Sequence, residues 1–308
     1  MTTDSETPTS TPAQGIWLPL ITPFLDGALD EVSITRLIRH YASRPLDGIV
    51  LAGTTGESLT LGDGKTERAM TSAEALARAG DGAMPLYLGL SGSDTRKLVK
   101  QIQHTTDWPI DGYLITAPYY TRPSQEGMFQ HFMAAAEATG RPIILYNIPY
   151  RTGVNLANEV LLHLAERENI VGIKDCCADP AQSFALTAAS PEGFAVLTGE
   201  DAFFHAALCQ GADGGILAAA HVETVAFARV RALFLDNHRE VAPNEWRGLV
   251  GVTRLLFREP NPAAVKYWLY RAGLITSPEL RLPMMAASPA LRGMIDAAAA
   301  AREPGIAA

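Results

Sequence analysis

Eight short apolar runs recur through the first two thirds of the chain, and they constrain the fold more than any other feature. They occupy residues 16–21, 48–52, 85–90, 112–116, 142–146, 171–173, 195–198 and 214–218, each bounded by turn residues. The average spacing of about 28 residues suits a repeated strand-plus-helix unit. Within each run the apolar residues are consecutive rather than alternating, as in parallel strands covered on both faces. Stretches with helical periodicity lie between them, at 32–42, 67–79, 95–105, 128–138, 157–167 and 202–210. Eight such units predict an α/β chain folded as a (β/α)8 TIM barrel. A doubly wound open sheet is the alternative, but no dinucleotide fingerprint follows the first run. After Ala220 only helical patterns continue, at 222–239, 245–257, 263–272 and 290–301, with loops at 242–243, 259–262 and 278–283. The expected organisation is a disordered tail over 1–13, a catalytic barrel over 14–240 and a C-terminal helical domain over 241–308.

Composition excludes several classes. With 47% hydrophobic and 19% charged residues, a chain of 308 residues has ample material for a core. The net charge of −8, with scattered basic residues, disfavours a nucleic-acid partner. No apolar run approaches the roughly 18 residues of a membrane span, so no membrane partner is expected. Residues 1–13 are acidic and rich in Ser, Thr and Pro, unlike a signal peptide. Three cysteines, two of them adjacent, offer neither a disulfide framework nor zinc spacing. The seven histidines form no ligand pair, so no metal site is expected. A cytoplasmic protein is the expectation.

In a barrel, function gathers at the C-terminal ends of the strands. Of five lysines, only Lys174 directly follows an apolar strand. Partial burial there lowers the amine's pKa and frees it as a nucleophile, although a strand-end lysine can also simply reach solvent. Gly53-Thr54-Thr55-Gly56 joins a strand to a helix and offers hydroxyls and backbone N–H groups to an anion; an ordinary Gly-rich turn is the plainer reading. A phosphate loop at Gly64-Lys65-Thr66 fails, because Leu59 stands where it needs glycine. Tyr146 ends the strand beside that of Lys174, where a phenol can shuttle protons or merely close the core. Tyr119 and Tyr120 carry the same ambiguity. Arg151, in a loop above the mouth, suits a carboxylate or a surface ion pair. Glu200-Asp201 reads as an acidic helix start.

Several motifs stand together in order: Gly53-Thr54-Thr55-Gly56-Glu57-Ser58, Pro118-Tyr119-Tyr120, Tyr146-Asn147-Ile148-Pro149-Tyr150-Arg151-Thr152-Gly153, Gly172-Ile173-Lys174 and Glu259-Pro260-Asn261-Pro262. In these the chain resembles the dihydrodipicolinate synthase family, within the pyruvate-dependent class I aldolase superfamily that includes the N-acetylneuraminate lyases. The resemblance implies that Lys174 forms a Schiff base with pyruvate and that no separate cofactor is needed. It implies that Thr55 binds the pyruvate carboxylate, with Gly199 and Ile216 lining that pocket. Tyr146, Thr54 and Tyr120 become a proton relay, Tyr120 being supplied by a neighbouring subunit. Arg151 becomes the holder of the second substrate's carboxylate, that of L-aspartate 4-semialdehyde. The implied assembly is a homotetramer of tight dimers, in lysine and diaminopimelate biosynthesis.

There are departures. Leu59, Asp63, Ser93 and Lys97 replace residues of lysine-inhibited relatives, so free lysine is expected to leave activity nearly unchanged. Asp175-Cys176-Cys177 follows Lys174 where the synthases have a Glu-Ala pair. That departure keeps open a second reading, another pyruvate-dependent aldolase or dehydratase acting on a sugar acid or a 4-hydroxy-2-oxo acid. A catalytically silent oxo-acid sensor is a third reading, since fold alone does not fix function.

Overall fold

The computed structural model describes residues 13–62 and 84–302. The expected helix at 67–79, Asp63 and nearly all of the expected tail lie outside the described residues. Eight parallel strands close into a barrel: β1 (Gly15–Pro19), β4 (Gly48–Leu51), β5 (Leu86–Leu90), β6 (Gly112–Thr116), β7 (Ile143–Asn147), β8 (Ile170–Asp175), β9 (Ala195–Thr198) and β10 (Gly214–Ile216). Each expected apolar run supplies one of them. Strands β2 (Phe24–Leu25) and β3 (Ala28–Leu29) form a small antiparallel hairpin that the sequence reading did not foresee.

The strands are apolar on consecutive residues because both faces are buried. Trp17, Val50, Leu114, Ile144, Val171, Leu197 and Ile216 fill the barrel interior. Their strand neighbours, such as Leu18, Ile49, Ile115, Leu145 and Ile173, pack outward against the helices. Asp side chains cap the helices that follow: Asp30 accepts from the Ser33 N–H, and Asp94 from those of Arg96 and Lys97.

Two local expectations are corrected. A helix spans Pro180–Ala189, where none was foreseen. It buries only Leu186, so its apolar periodicity is faint, yet Asp179-Pro180 is a strong start signal. The loop expected at 242–243 is instead the first turn of the helix Ala242–Leu256, which opens with Pro243 near its N-terminus. From there the helices Ala242–Leu256, Ala263–Arg271 and Pro289–Arg302 follow, and Leu249, Val252, Leu256, Val265 and Ile295 join the same buried cluster as Phe204 and Phe227.

Candidate active site

Strands β7 and β8 pair in parallel with Tyr146 directly opposite Lys174. Both side chains are buried, Lys174 being 6% exposed. The ammonium nitrogen Nζ lies 4.4 Å from the centre of the Tyr146 ring. Burial lowers the Lys174 pKa below the ordinary lysine value, and the Arg151 guanidinium adds to that. Cys176, Asp201 and Glu200 act in the opposite sense. Burial also raises the Tyr146 phenol, while a hydrogen bond with the Thr54 side chain draws it down. The phenol is therefore held in its protonated form, and the Thr54 hydroxyl lines the same cleft, a second group through which a proton can pass.

The extended backbone makes side chains alternate at the end of β8. Lys174 and Cys176 turn inward, and Asp175 turns outward to accept from Ser183 Oγ at 2.6 Å and the Cys177 N–H at 3.0 Å. Room for the lysine comes from Gly199. A Cβ at that position would stand 2.5 Å from Lys174 Cε and 2.4 Å from Cys176 Sγ. Ile216, at the end of β10, is buried in the same inner cluster as Tyr146 and Cys176. Gly199 thus bounds the space around the lysine.

The turn after β4 is pinned from a distance. Thr55 is buried, and its Oγ1 accepts from Asn261 Nδ2 at 2.8 Å. Glu57 has φ of 55°, a left-handed conformation unusual for a residue with a side chain. Its carboxylate pairs with Lys266 Nζ at 2.5 Å and accepts from the Arg281 N–H at 3.0 Å. Lys266 is fully buried and also donates to the Glu279 carbonyl at 2.7 Å.

A cleft of about 280 Å³ opens over these strand ends, lined by Thr54, Tyr146, Ile148, Arg151 and Asn261 among others. Arg151 stands on a short helical turn, Pro149–Thr152, rather than in the expected loop, and its guanidinium lies 5.7 Å from the Tyr150 ring centre. Tyr120 does not line the cleft; it is 91% exposed, with φ of 71°. The structure thus brings Lys174, Tyr146, Thr54, Thr55, Arg151, Gly199 and Ile216 to one end of the barrel, and leaves Tyr120 facing outward from its own chain.

Sequence reasoning missed some neighbours. Asp201 opens the helical turn Asp201–Phe203, as its reading as a helix start predicts, and beyond that reading it is 3% exposed and accepts from the Ala219 N–H at 2.5 Å. Burial pushes its carboxyl up to about 7. The buried Lys266 was passed over, although apolar residues flank it on both sides in Ala263–Arg271. No group of three or more potential metal ligands occurs among the described residues.

Comparison with known proteins gives the same direction. A protein of Clostridium acetobutylicum named 4-hydroxy-tetrahydrodipicolinate synthase 2 is 41% identical over 279 residues, covering 91% of this chain and 96% of its own. The crystal structure of dihydrodipicolinate synthase from Aquifex aeolicus superposes with a TM-score of 0.89 at 30% identity, over 94% of this chain and 98% of that one. The enzyme from Acinetobacter baumannii, solved in complex with pyruvate, matches at a TM-score of 0.88 and 33% identity, over 93% and 97%. The model of the dihydrodipicolinate synthetase family matches residues 12–301, and the chain belongs to that family.

Proposed function

We propose that the protein is a Schiff-base enzyme that condenses pyruvate with L-aspartate 4-semialdehyde to 4-hydroxy-tetrahydrodipicolinate, in lysine and diaminopimelate biosynthesis. The observation that carries this reading is the buried Lys174 amine packed against the Tyr146 phenol, with Thr54 and Tyr146 lining the same cleft. The neutral amine attacks the ketone carbon of pyruvate to give a carbinolamine. Tyr146 and Thr54 pass a proton to the departing hydroxyl, and water leaves as the imine forms. The imine then acts as electron sink while a methyl proton is lost, and the resulting enamine carbon attacks the aldehyde, whose oxygen takes up a proton, to form the new carbon–carbon bond. The amino group of the semialdehyde then attacks the regenerated imine carbon, closing the ring and expelling Lys174 as the free amine. The imine formed on Lys174 is the electron sink, so the reaction needs no separate cofactor. Thr55 and its turn take the pyruvate carboxylate, with Gly199 and Ile216 closing that pocket, and Arg151 takes the carboxylate of the semialdehyde. Tyr120 completes the relay in a neighbouring subunit, within a homotetramer of tight dimers; its full exposure in its own chain supports that placement. The free thiols of Cys176, Cys177 and Cys209 suit the reducing cytoplasm.

Steady-state turnover with pyruvate and a panel of aldehydes tests the reading. L-aspartate 4-semialdehyde is expected to give the highest kcat/KM. Faster turnover of a sugar-acid aldehyde or a 4-hydroxy-2-oxo acid would transfer the function to another aldolase of the superfamily, the reading that Cys176 beside Lys174 favours.

A further inference from the structure

Asn261 stands outside the barrel strands, in the segment that leads into the helix Ala263–Arg271, yet it reaches the candidate active site. It is 8% exposed and lines the cleft. Its Nδ2 donates to Thr55 Oγ1 at 2.8 Å. Its Oδ1 is buried and has no hydrogen-bond partner among the described residues. A half-satisfied buried amide costs stability, so an apolar side chain of similar shape would serve mere packing better. The chemical consequence lies at Thr55. A hydroxyl has one proton and two lone pairs, and one lone pair is taken by Asn261. The Thr55 O–H is then free to point away from Asn261 and donate elsewhere.

We propose that Asn261 is a positioning residue, whose amide bond to Thr55 Oγ1 fixes the Thr55 hydroxyl as a donor to the carboxylate of the 2-oxo acid. The inference rests on the proposed role of Thr55 in binding pyruvate. Asn261 does not itself touch the reacting atoms. It sets which way a neighbouring hydroxyl points, and it does so from a part of the chain beyond the barrel. The Lys266–Glu57 ion pair holds the same turn two residues further on, so the turn is tied at both Thr55 and Glu57.

The discriminating variant is Asn261→Asp. It keeps the size and shape of the side chain but replaces the N–H donor by an acceptor. The Thr55 proton is then drawn to the new carboxylate, and a negative charge is added near a site for an anion. Borohydride trapping of the Schiff base across a range of pyruvate concentrations reads the effect directly. The half-saturating pyruvate concentration is expected to rise about 10-fold or more in Asn261→Asp, the effect of one charge-assisted hydrogen bond, and to rise less in Asn261→Ala. The KM for the semialdehyde is expected to stay within about 2-fold. Combining Asn261→Ala with Thr55→Val is expected to add nothing to Thr55→Val alone, because Asn261 acts through that hydroxyl. A near-normal pyruvate dependence in Asn261→Asp, or additive losses in the double variant, overturns the inference while leaving the pyruvate reading intact. Failure of pyruvate to trap on the unmodified protein overturns that reading and the inference with it.

Discussion

Lys174 and Lys266 are both buried, and what surrounds each decides its use. Lys266 spends its hydrogens on the Glu57 carboxylate and the Glu279 carbonyl. Burial lowers both amines, that of Lys266 to about 8, but Lys174 faces the phenol ring of Tyr146, whereas Lys266 faces the ring of Phe24, which has no proton to give. A lysine with its charge unfavourably buried and a protonated phenol beside it is a nucleophile with its proton donor in place. The position of Lys174 at the C-terminal end of an apolar strand was legible in the sequence, although the structure puts it inside the strand Ile170–Asp175 rather than just beyond it. The burial of Asp201 was not, because it depends on the Ala219 backbone meeting it across the fold. Arg151 lines the cleft at its outer edge, where a planar guanidinium suits a carboxylate. Losing one charged hydrogen bond there costs roughly 1.5–3 kcal/mol, so Arg151→Ala is expected to lower kcat/KM for the semialdehyde about 10- to 150-fold. Trapping with pyruvate alone should change little. An equal loss in pyruvate trapping would assign Arg151 to the first substrate.

At the scale of elements, the C-terminal helices are part of the site's scaffold. Asn261 and Lys266 reach back to Thr55 and Glu57, more than 200 residues earlier in the sequence. Local pattern cannot show such long-range ties, which is why the motif around Asn261 was legible only as a resemblance and the pairing of Lys266 was not legible at all. The eight strands were legible, because burial on both faces writes consecutive apolar residues into each. The helix Pro180–Ala189 was not, because it buries so little. The Lys266–Glu57 pair gives this scale its test. Removing one partner strands a buried charge, so Lys266→Met is expected to destabilise the fold by about 3–5 kcal/mol, read as a lower urea midpoint. Adding Glu57→Gln should recover much of that loss, since no charge is then left unpaired. A midpoint unchanged in Lys266→Met would show that the pair does not hold the turn.

For the molecule as a whole, the barrel places the strand ends and their loops on one face, and the chain leaves that face partly open. Tyr120 at 91% and Leu282 at 77% exposure, together with Leu59 at 72%, are large side chains left to solvent in a single chain. The interior beneath that opening is closed around Lys174 by Tyr146, Cys176 and Gly199. Such an arrangement lets one substrate be held deep by covalent chemistry while the second meets it from the mouth. Everything proposed for the molecule depends on that covalent bond. Incubation with pyruvate and borohydride, followed by peptide mass spectrometry, is expected to find one reduced pyruvyl group per chain, located on Lys174, and none in Lys174→Ala. Label that persists in Lys174→Ala, or that falls on another residue of the unmodified protein, would contradict it.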